Sequence, residues 1–335
     1  MTLRIGLIGA GGMGRAHVER ITNELAGARV TAVADINAAA AEETAKPLGA
    51  AVFDSGADLI ASDDVDAVLI ATAGFAHAPD VLAAIRAGKP VLCEKPLVTK
   101  PEDALAIMEA EEQAGRKLVT VGFMRRFDEG YRLMRQALVE GDLGYATLLH
   151  CRHRNPSVPE NYTTRNMIDD TAIHEIDICR YLLGEEITSV RIDTPRATSH
   201  RYEHLADPLV LVAHSTSGVL IDDEVNVNIG FGYSIECELV MEQGTVRLGD
   251  QERVITRDAY GNRNAVCGSH IDRFHQAFNA EVQQWINAAA AGKHTGSTAW
   301  DGYAAVCVVD AALTSLEEGG REVAVDMIDK PDFYA

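Results

Sequence analysis

Glu94-Lys95-Pro96 places a lysine directly after Pro90-Val91-Leu92-Cys93, an apolar run that reads as a short buried strand. The carboxyl end of a strand in an open α/β sheet is where such sheets bind ligands. The proline stiffens the turn and removes a donor, so the ammonium is aimed by a rigid peptide. Further on, Asp170-Thr171-Ala172-Ile173-His174 sets an acid and an imidazole four positions apart. On a helix such positions share a face, and both side chains can enter one cleft. A helix cap at Asp170 and a satisfied buried histidine at His174 are the structural alternatives. With a dinucleotide fingerprint upstream, the lysine and the acid/histidine pair read as a hydride-transfer site.

That fingerprint is Gly9-Ala10-Gly11-Gly12-Met13-Gly14, a Gly-x-Gly-x-x-Gly between an expected strand and an expected helix. Gly9 permits the tight turn, Gly11 the approach of a pyrophosphate, and Gly14 close helix–strand packing. Gly12 and Met13 lie at the helix amino end, whose free N–H groups suit phosphate. Asp35 ends the second strand, 21 positions after Gly14, about the spacing of the acid that holds the adenosine ribose. Its carboxylate would repel a 2′-phosphate, and Ile36-Asn37-Ala38-Ala39-Ala40 offers no arginine to receive one, so NAD is expected over NADP. Thr72 and His77 follow the next strand and are expected on the nicotinamide side. His77 also fits as a residue that simply starts a helix.

The elements that must carry these residues change character along the chain. Up to residue 122, short apolar runs alternate with helical patterns, the form of a doubly wound parallel sheet. Strands are expected at Leu3–Ile8, Arg29–Ala34, Ala67–Ala71, Pro90–Cys93 and Leu118–Phe123. Helices are expected at Met13–Leu25, Pro79–Ala87 and Pro101–Ala114, with proline in the first turn of the last two. Beyond that point Val225–Ile229 and Tyr233–Leu239 alternate strictly, as strands with one wet face do. The expected fold is α/β. An N-terminal Rossmann domain, 1–122, precedes an α+β domain, 123–335, with a large, mostly antiparallel sheet for substrate binding and oligomerisation. Its strands are read at 146–155, 189–199, 208–215, 218–229, 233–242 and 244–248. Its helices are read at about 170–183, 271–291 and 300–318, the last packing back on the first domain.

Composition narrows the partners. The chain has 335 residues and a formal charge of −20, which opposes nucleic-acid binding and an anionic membrane surface. No apolar run approaches the ~20 residues of a membrane span, and Met1–Gly6 lacks the grammar of a signal peptide. The six cysteines are scattered without Cys-x-x-Cys, which suits reduced thiols and a cytoplasmic location. His174-Glu175 is no zinc motif, because Ile178 stands where the second histidine belongs. His150 and His153 are three apart on an expected strand and face opposite sides, so no metal is expected.

Several segments together resemble the family of glucose–fructose oxidoreductases and inositol dehydrogenases. They are the fingerprint, Cys93-Glu94-Lys95-Pro96, Gly122-Phe123-Met124-Arg125-Arg126-Phe127-Asp128, His153-Arg154-Asn155-Pro156, Ala172-Ile173-His174-Glu175-Ile176-Asp177, Phe231-Gly232-Tyr233 and Lys330-Pro331-Asp332-Phe333-Tyr334. The resemblance implies NAD-dependent oxidation of a ring hydroxyl of a cyclic polyol, foremost myo-inositol, with scyllo-inositol or a pyranose as rivals. It implies Lys95, Asp170 and His174 as the catalytic group, with Glu94 and Lys95 also bordering the cofactor. It places Arg125, His153, Asn155 and Tyr233 around the polyol, and it implies a homotetramer formed through the second sheet. His153 and Asn155, two apart on a strand, share a face, which supports their pairing. A surface ion pair for Arg125 and a core position for Tyr233 are the structural alternatives. In the catalytic reading, His174 takes the hydroxyl proton, Lys95 stabilises the oxygen, and Asp170 orients them. A sensor that binds nucleotide or sugar without turnover is the rival of another class.

Overall fold

The computed structural model describes residues 2–248, 255–259 and 261–335. Two compact units emerge. The first holds the residues up to Met124 with Phe278–Val306 and Ile328–Ala335, and the second holds Arg125–Ala277 and Cys307–Met327.

In the first unit, strands β1 (Leu3–Ile8), β2 (Ala28–Ala34), β3 (Ala51–Phe53), β4 (Ala67–Ile70), β5 (Val91–Glu94) and β6 (Val119–Gly122) form one parallel sheet. Its order is β3-β2-β1-β4-β5-β6, so the chain reverses direction across the sheet between β1 and β4. A ligand cleft opens at the carboxyl ends of strands at such a switch, and Gly9, Thr72 and Lys95 follow β1, β4 and β5 there. β4, β5 and β6 are buried at every residue, as strands covered on both faces must be. One covering element comes from far along the chain: the His275–Ala290 helix buries Val282, Trp285 and Ile286 in the core around β1 and β2. The Pro101–Ala114 helix starts on proline, carries Glu102 and Asp103 in its first turn, and stops at Gly115 in the left-handed region.

The second unit is built on a seven-stranded sheet: β7 (Ala146–Arg154), β8 (Ile187–Asp193), β9 (Leu209–Ser215), β10 (Leu220–Asn226), β11 (Ser234–Met241), β12 (Gly244–Leu248) and β15 (Val323–Ala324). A separate hairpin pairs β13 (Ile255–Asp258) with β14 (Gly261–Asn264). The large sheet runs β12-β11-β7-β10-β9-β8-β15, antiparallel throughout except for β7 beside β10. Its inward face is covered by the Glu129–Glu140 and Ile173–Leu183 helices. The outward face is mixed. Arg154 bridges Glu224 and Glu236 at 2.7 and 2.8 Å, Arg152 reaches Glu236 at 3.1 Å, and His150 pairs with Asp222. Beside these ion pairs, half-buried Val240, Leu148 and Leu220 line up across three strands, with Val210 and Val212 on the same face of β9.

Two expected elements are displaced. The strand read at 189–199 is β8, which begins earlier opposite Ser215 and ends before Pro195, a residue with no N–H for the ladder. The helix read from 170 begins instead as a π-helical segment, Met167–Ala172, before the α-helix Ile173–Leu183. Wider turns of this kind leave no mark in side-chain spacing.

Candidate active site

The glycine turn is shaped by backbone contact. Gly9 has φ +100°, and a side chain there would meet the Ala71 backbone at 2.6 Å, while one at Gly14 would strike the Gly9 carbonyl. At Gly11 and Gly12 an added Cβ would point into open space. Here the backbone offers a cradle to a group docking on the amino end of the Gly12–Asn23 helix. Asp35 closes the cradle: its carboxylate accepts from the Ala10 N–H at 2.6 Å and the Asn37 N–H at 2.7 Å. Thr72 Oγ1, just past β4, is buried with no hydrogen-bond partner among the described residues. An open backbone cradle, an acid at the end of β2 and an unsatisfied hydroxyl all fit a bound dinucleotide. Met13 is half-buried beside them.

His77 has no exposed surface, and its ring lies between the carbonyls of Thr72 (3.0 Å) and Pro96 (2.9 Å). It ties the loop after β4 to the loop that carries Lys95. Glu94 likewise turns inward. Its Oε1 meets Nε2 of fully buried His17 at 2.6 Å, and its Oε2 accepts from the Lys95 N–H at 3.3 Å. Arg20 approaches His17 Nδ1 at 3.0 Å. A guanidinium only donates, so Nδ1 accepts and Nε2–H donates to Glu94. Burial alone would push the Glu94 carboxyl up, but the His17 hydrogen bond and the Lys95 charge bring it below its ordinary value. His17 and Arg20 were not among the expected site residues. One turn apart on a helix, they look from sequence like ordinary polar positions.

In the second unit, Arg125 follows Met124 in a 3-10 turn and is 1 % exposed. It ion-pairs with Glu175 and lies over the Phe274 ring, 5.3 Å from its centroid. The surface ion pair that stood as the alternative for Arg125 is therefore an interior one. Burial disfavours the Arg125 charge, yet Glu175 more than offsets it and keeps the guanidinium well above its ordinary value. His153, facing inward from β7, sets Nδ1 2.9 Å from Glu175 and Nε2 3.3 Å from the Tyr233 hydroxyl. Tyr233 precedes β11, with its N–H bonded to the Cys267 carbonyl at 2.8 Å. Burial pushes its hydroxyl up to about 12. The His174 ring lies 6.2 Å from that of His153, centroid to centroid.

Asp170 accepts a hydrogen bond from the Tyr162 hydroxyl at 3.0 Å, and burial together with Asp170 raises the Tyr162 hydroxyl. Asp170 lies in the π-helical segment Met167–Ala172 and His174 in the first turn of the α-helix that continues it. Asn155 is half-buried just beyond β7 and bonds through its backbone to Asn226 and Ile229. Thus Arg125, Glu175, Tyr233 and His174 gather around His153, and Glu175 is a residue that the sequence offers only as half of a failed zinc motif. Among the described residues no cluster of three or more His, Cys, Asp or Glu could hold a metal ion.

A parallel sheet with a glycine cradle at its switch point, followed by a mostly antiparallel sheet carrying a charged polar cluster, defines a two-unit nicotinamide-dependent oxidoreductase. Residues 3–123 match the model of an oxidoreductase family with an NAD-binding Rossmann fold. Residues 131–247 match the GFO/IDH/MocA C-terminal domain. The chain belongs to the GFO/IDH/MocA oxidoreductase family. It is 48 % identical to inositol 2-dehydrogenase 3 of Saccharopolyspora erythraea, a match covering 100 % of this chain and 98 % of that one. Inositol 2-dehydrogenase of Acidiphilium cryptum is 44 % identical, with 100 % of both chains covered. The crystal structure of myo-inositol dehydrogenase from Lactobacillus casei, in complex with NAD(H) and myo-inositol, superposes with a TM-score of 0.97 at 38 % identity over 100 % of both chains. Scyllo-inositol dehydrogenase from the same organism, with NAD(H) and scyllo-inositol, gives 0.89 at 25 % identity, covering 97 % of this chain and 99 % of that one.

Proposed function

We propose that this protein oxidises the C2 hydroxyl of myo-inositol to the ketone, using NAD. The observation that carries this is the full-length likeness to the Lactobacillus casei enzyme that holds NAD(H) and myo-inositol. When bound, NAD supplies the acceptor for the hydride that leaves the carbinol carbon. The chain must then bind, orient and deprotonate. His174 takes the hydroxyl proton, because an imidazole is poised near working pH. Lys95 stabilises the charge that develops on the same oxygen. Asp170, held by Tyr162, orients the pair, while His153, Asn155 and Tyr233 meet the other ring hydroxyls, with Arg125 behind them. Gly9, Gly11, Gly12, Met13 and Gly14 receive the pyrophosphate, and Thr72, His77 and Glu94 shape the nicotinamide side. Asp35 favours NAD over NADP, since a 2′-phosphate would face its carboxylate.

His174→Ala is expected to cut turnover of myo-inositol by ~10²–10⁴ with NAD affinity unchanged. Near-normal turnover would remove His174 from this role and with it the chemistry proposed. The setting we propose is cytoplasmic, supported by free cysteines of which five are buried. The assembly we propose is a homotetramer, supported by family resemblance and by the broad outward face of the second sheet. Light scattering at micromolar concentration should return four chains, and a monomer would reject it.

A further inference from the structure

Arg125, His153, Glu175 and Tyr233 are 1, 3, 2 and 5 % exposed, so their hydrogen bonds are made without water and each donor must meet an acceptor. Two of the four have no choice of role: a guanidinium only donates and a carboxylate only accepts. Arg125 donates to Glu175 Oε1. Glu175 Oε2 stands 2.9 Å from His153 Nδ1, and an unprotonated nitrogen there would set lone pair against lone pair. Arg125 Nη2 also lies 3.1 Å from Nδ1. With a proton on Nδ1, that approach is a contact of two donors and not a hydrogen bond. His153 Nε2 then accepts, and the Tyr233 hydroxyl 3.3 Å away donates to it. The circuit runs from Arg125 through Glu175 and His153 to Tyr233. An imidazolium at His153 would put two cations against one buried carboxylate, an arrangement that interiors avoid.

We infer that Glu175 is a positioning residue that fixes neutral His153 as the Nδ1–H tautomer and so sets the hydrogen-bond polarity of this wall of the site. The Tyr233 proton is spent inside the circuit, and His153 has no second N–H to give. Toward a ligand the pair presents one acceptor, the Tyr233 oxygen, because the His153 Nε2 lone pair is taken by the Tyr233 proton. A substrate group that meets that oxygen must donate, as a ring hydroxyl does and as a carbonyl, ether or fluorine does not. This inference rests on the polyol reading above for the identity of the ligand, but the tautomer itself does not depend on that reading.

Two measurements test it. The first is nitrogen NMR of the NAD-bound protein carrying ring-labelled histidine, with the His153 signals assigned by their loss in His153→Asn. A proton on Nδ1 and none on Nε2 at neutral pH is expected, and a proton on Nε2 overturns the inference. The second is Glu175→Gln. Its amide donates to Nδ1, moves the proton to Nε2, and turns the Tyr233 hydroxyl outward. KM for myo-inositol is expected to rise about 2- to 10-fold, because the ring hydroxyl must turn from donor to acceptor against Tyr233, with kcat within ~3-fold of the parent. Glu175→Asp should keep the Nδ1–H tautomer and recover most of the affinity. An unchanged KM in a folded Glu175→Gln protein with the proton moved to Nε2 would overturn the polarity claim. If Glu175→Gln fails to fold, the spectrum of the parent protein still decides the tautomer. Absence of turnover on every polyol, beside an Nδ1–H signal, would reject the proposed substrate and leave the circuit standing.

Discussion

At the scale of single residues, the interior of the second unit holds an ionisable group that the proposed chemistry does not use. Asp223 on β10 is 1 % exposed, and neither carboxylate oxygen has a hydrogen-bond partner among the described residues. Burial first, and then the nearby Glu175, push its carboxyl well above the ordinary range. The folded state therefore holds a proton on Asp223 that the unfolded chain releases near pH ~4. As pH rises through that value, unfolding gains and native stability falls, until the folded carboxyl itself ionises. Asp223→Asn removes the proton release and keeps the shape. Its melting temperature should exceed that of the parent by a wider margin at about pH 8 than at about pH 5. A margin that stays constant across pH would contradict this. Lys95, Asp35 and His174 stand out in the sequence as proposed chemistry-bearing residues because type, spacing and motif agree. His17, Glu175 and Asp223 do not, because what marks them is burial opposite a partner far along the chain.

At the scale of elements, the parallel sheet was legible where apolar runs are long and flanked by turn residues. β1, β2, β4, β5 and β6 fall within a residue or two of their expected spans. β3, with three residues, is too short for periodicity to register, and so are the Ala38–Ala45 and Gly56–Ala61 helices. The Glu129–Glu140 helix was missed because Gly130 weakens its first turn. Asp128 compensates by capping the N–H groups of Gly130 and Tyr131 and taking an ion pair from Arg273 at 2.9 Å. The helix read at 271–291 is interrupted at Phe274, which separates His270–Arg273 from His275–Ala290. The π-helical segment at Met167–Ala172 bears on the proposed site, because it holds Asp170 and runs directly into the helix that holds His174. A one-residue change of turn width is invisible to spacing rules and decisive for which side chains align. The strict alternation of β11 and β10 reported the sheet correctly. It did not report that the outer positions set an arginine–glutamate ladder beside an apolar row of Val240, Leu148 and Leu220.

At the scale of the whole molecule, two units of different grammar carry the residues proposed for one reaction. The first holds a backbone cradle, Asp35 and, in Lys95, a lysine on a turn that His17, Glu94 and His77 brace from within. The second holds His174, Asp170 and a polar circuit running from Arg125 to Tyr233. Among the described residues no helix is long and apolar enough to cross a membrane. The most direct test is a substrate panel in which NAD reduction is followed with myo-inositol, scyllo-inositol and glucose, and repeated with NADP. The account predicts that myo-inositol with NAD gives the highest kcat/KM of the set. Failure of myo-inositol to reduce NAD, or equal efficiency with glucose, would contradict it.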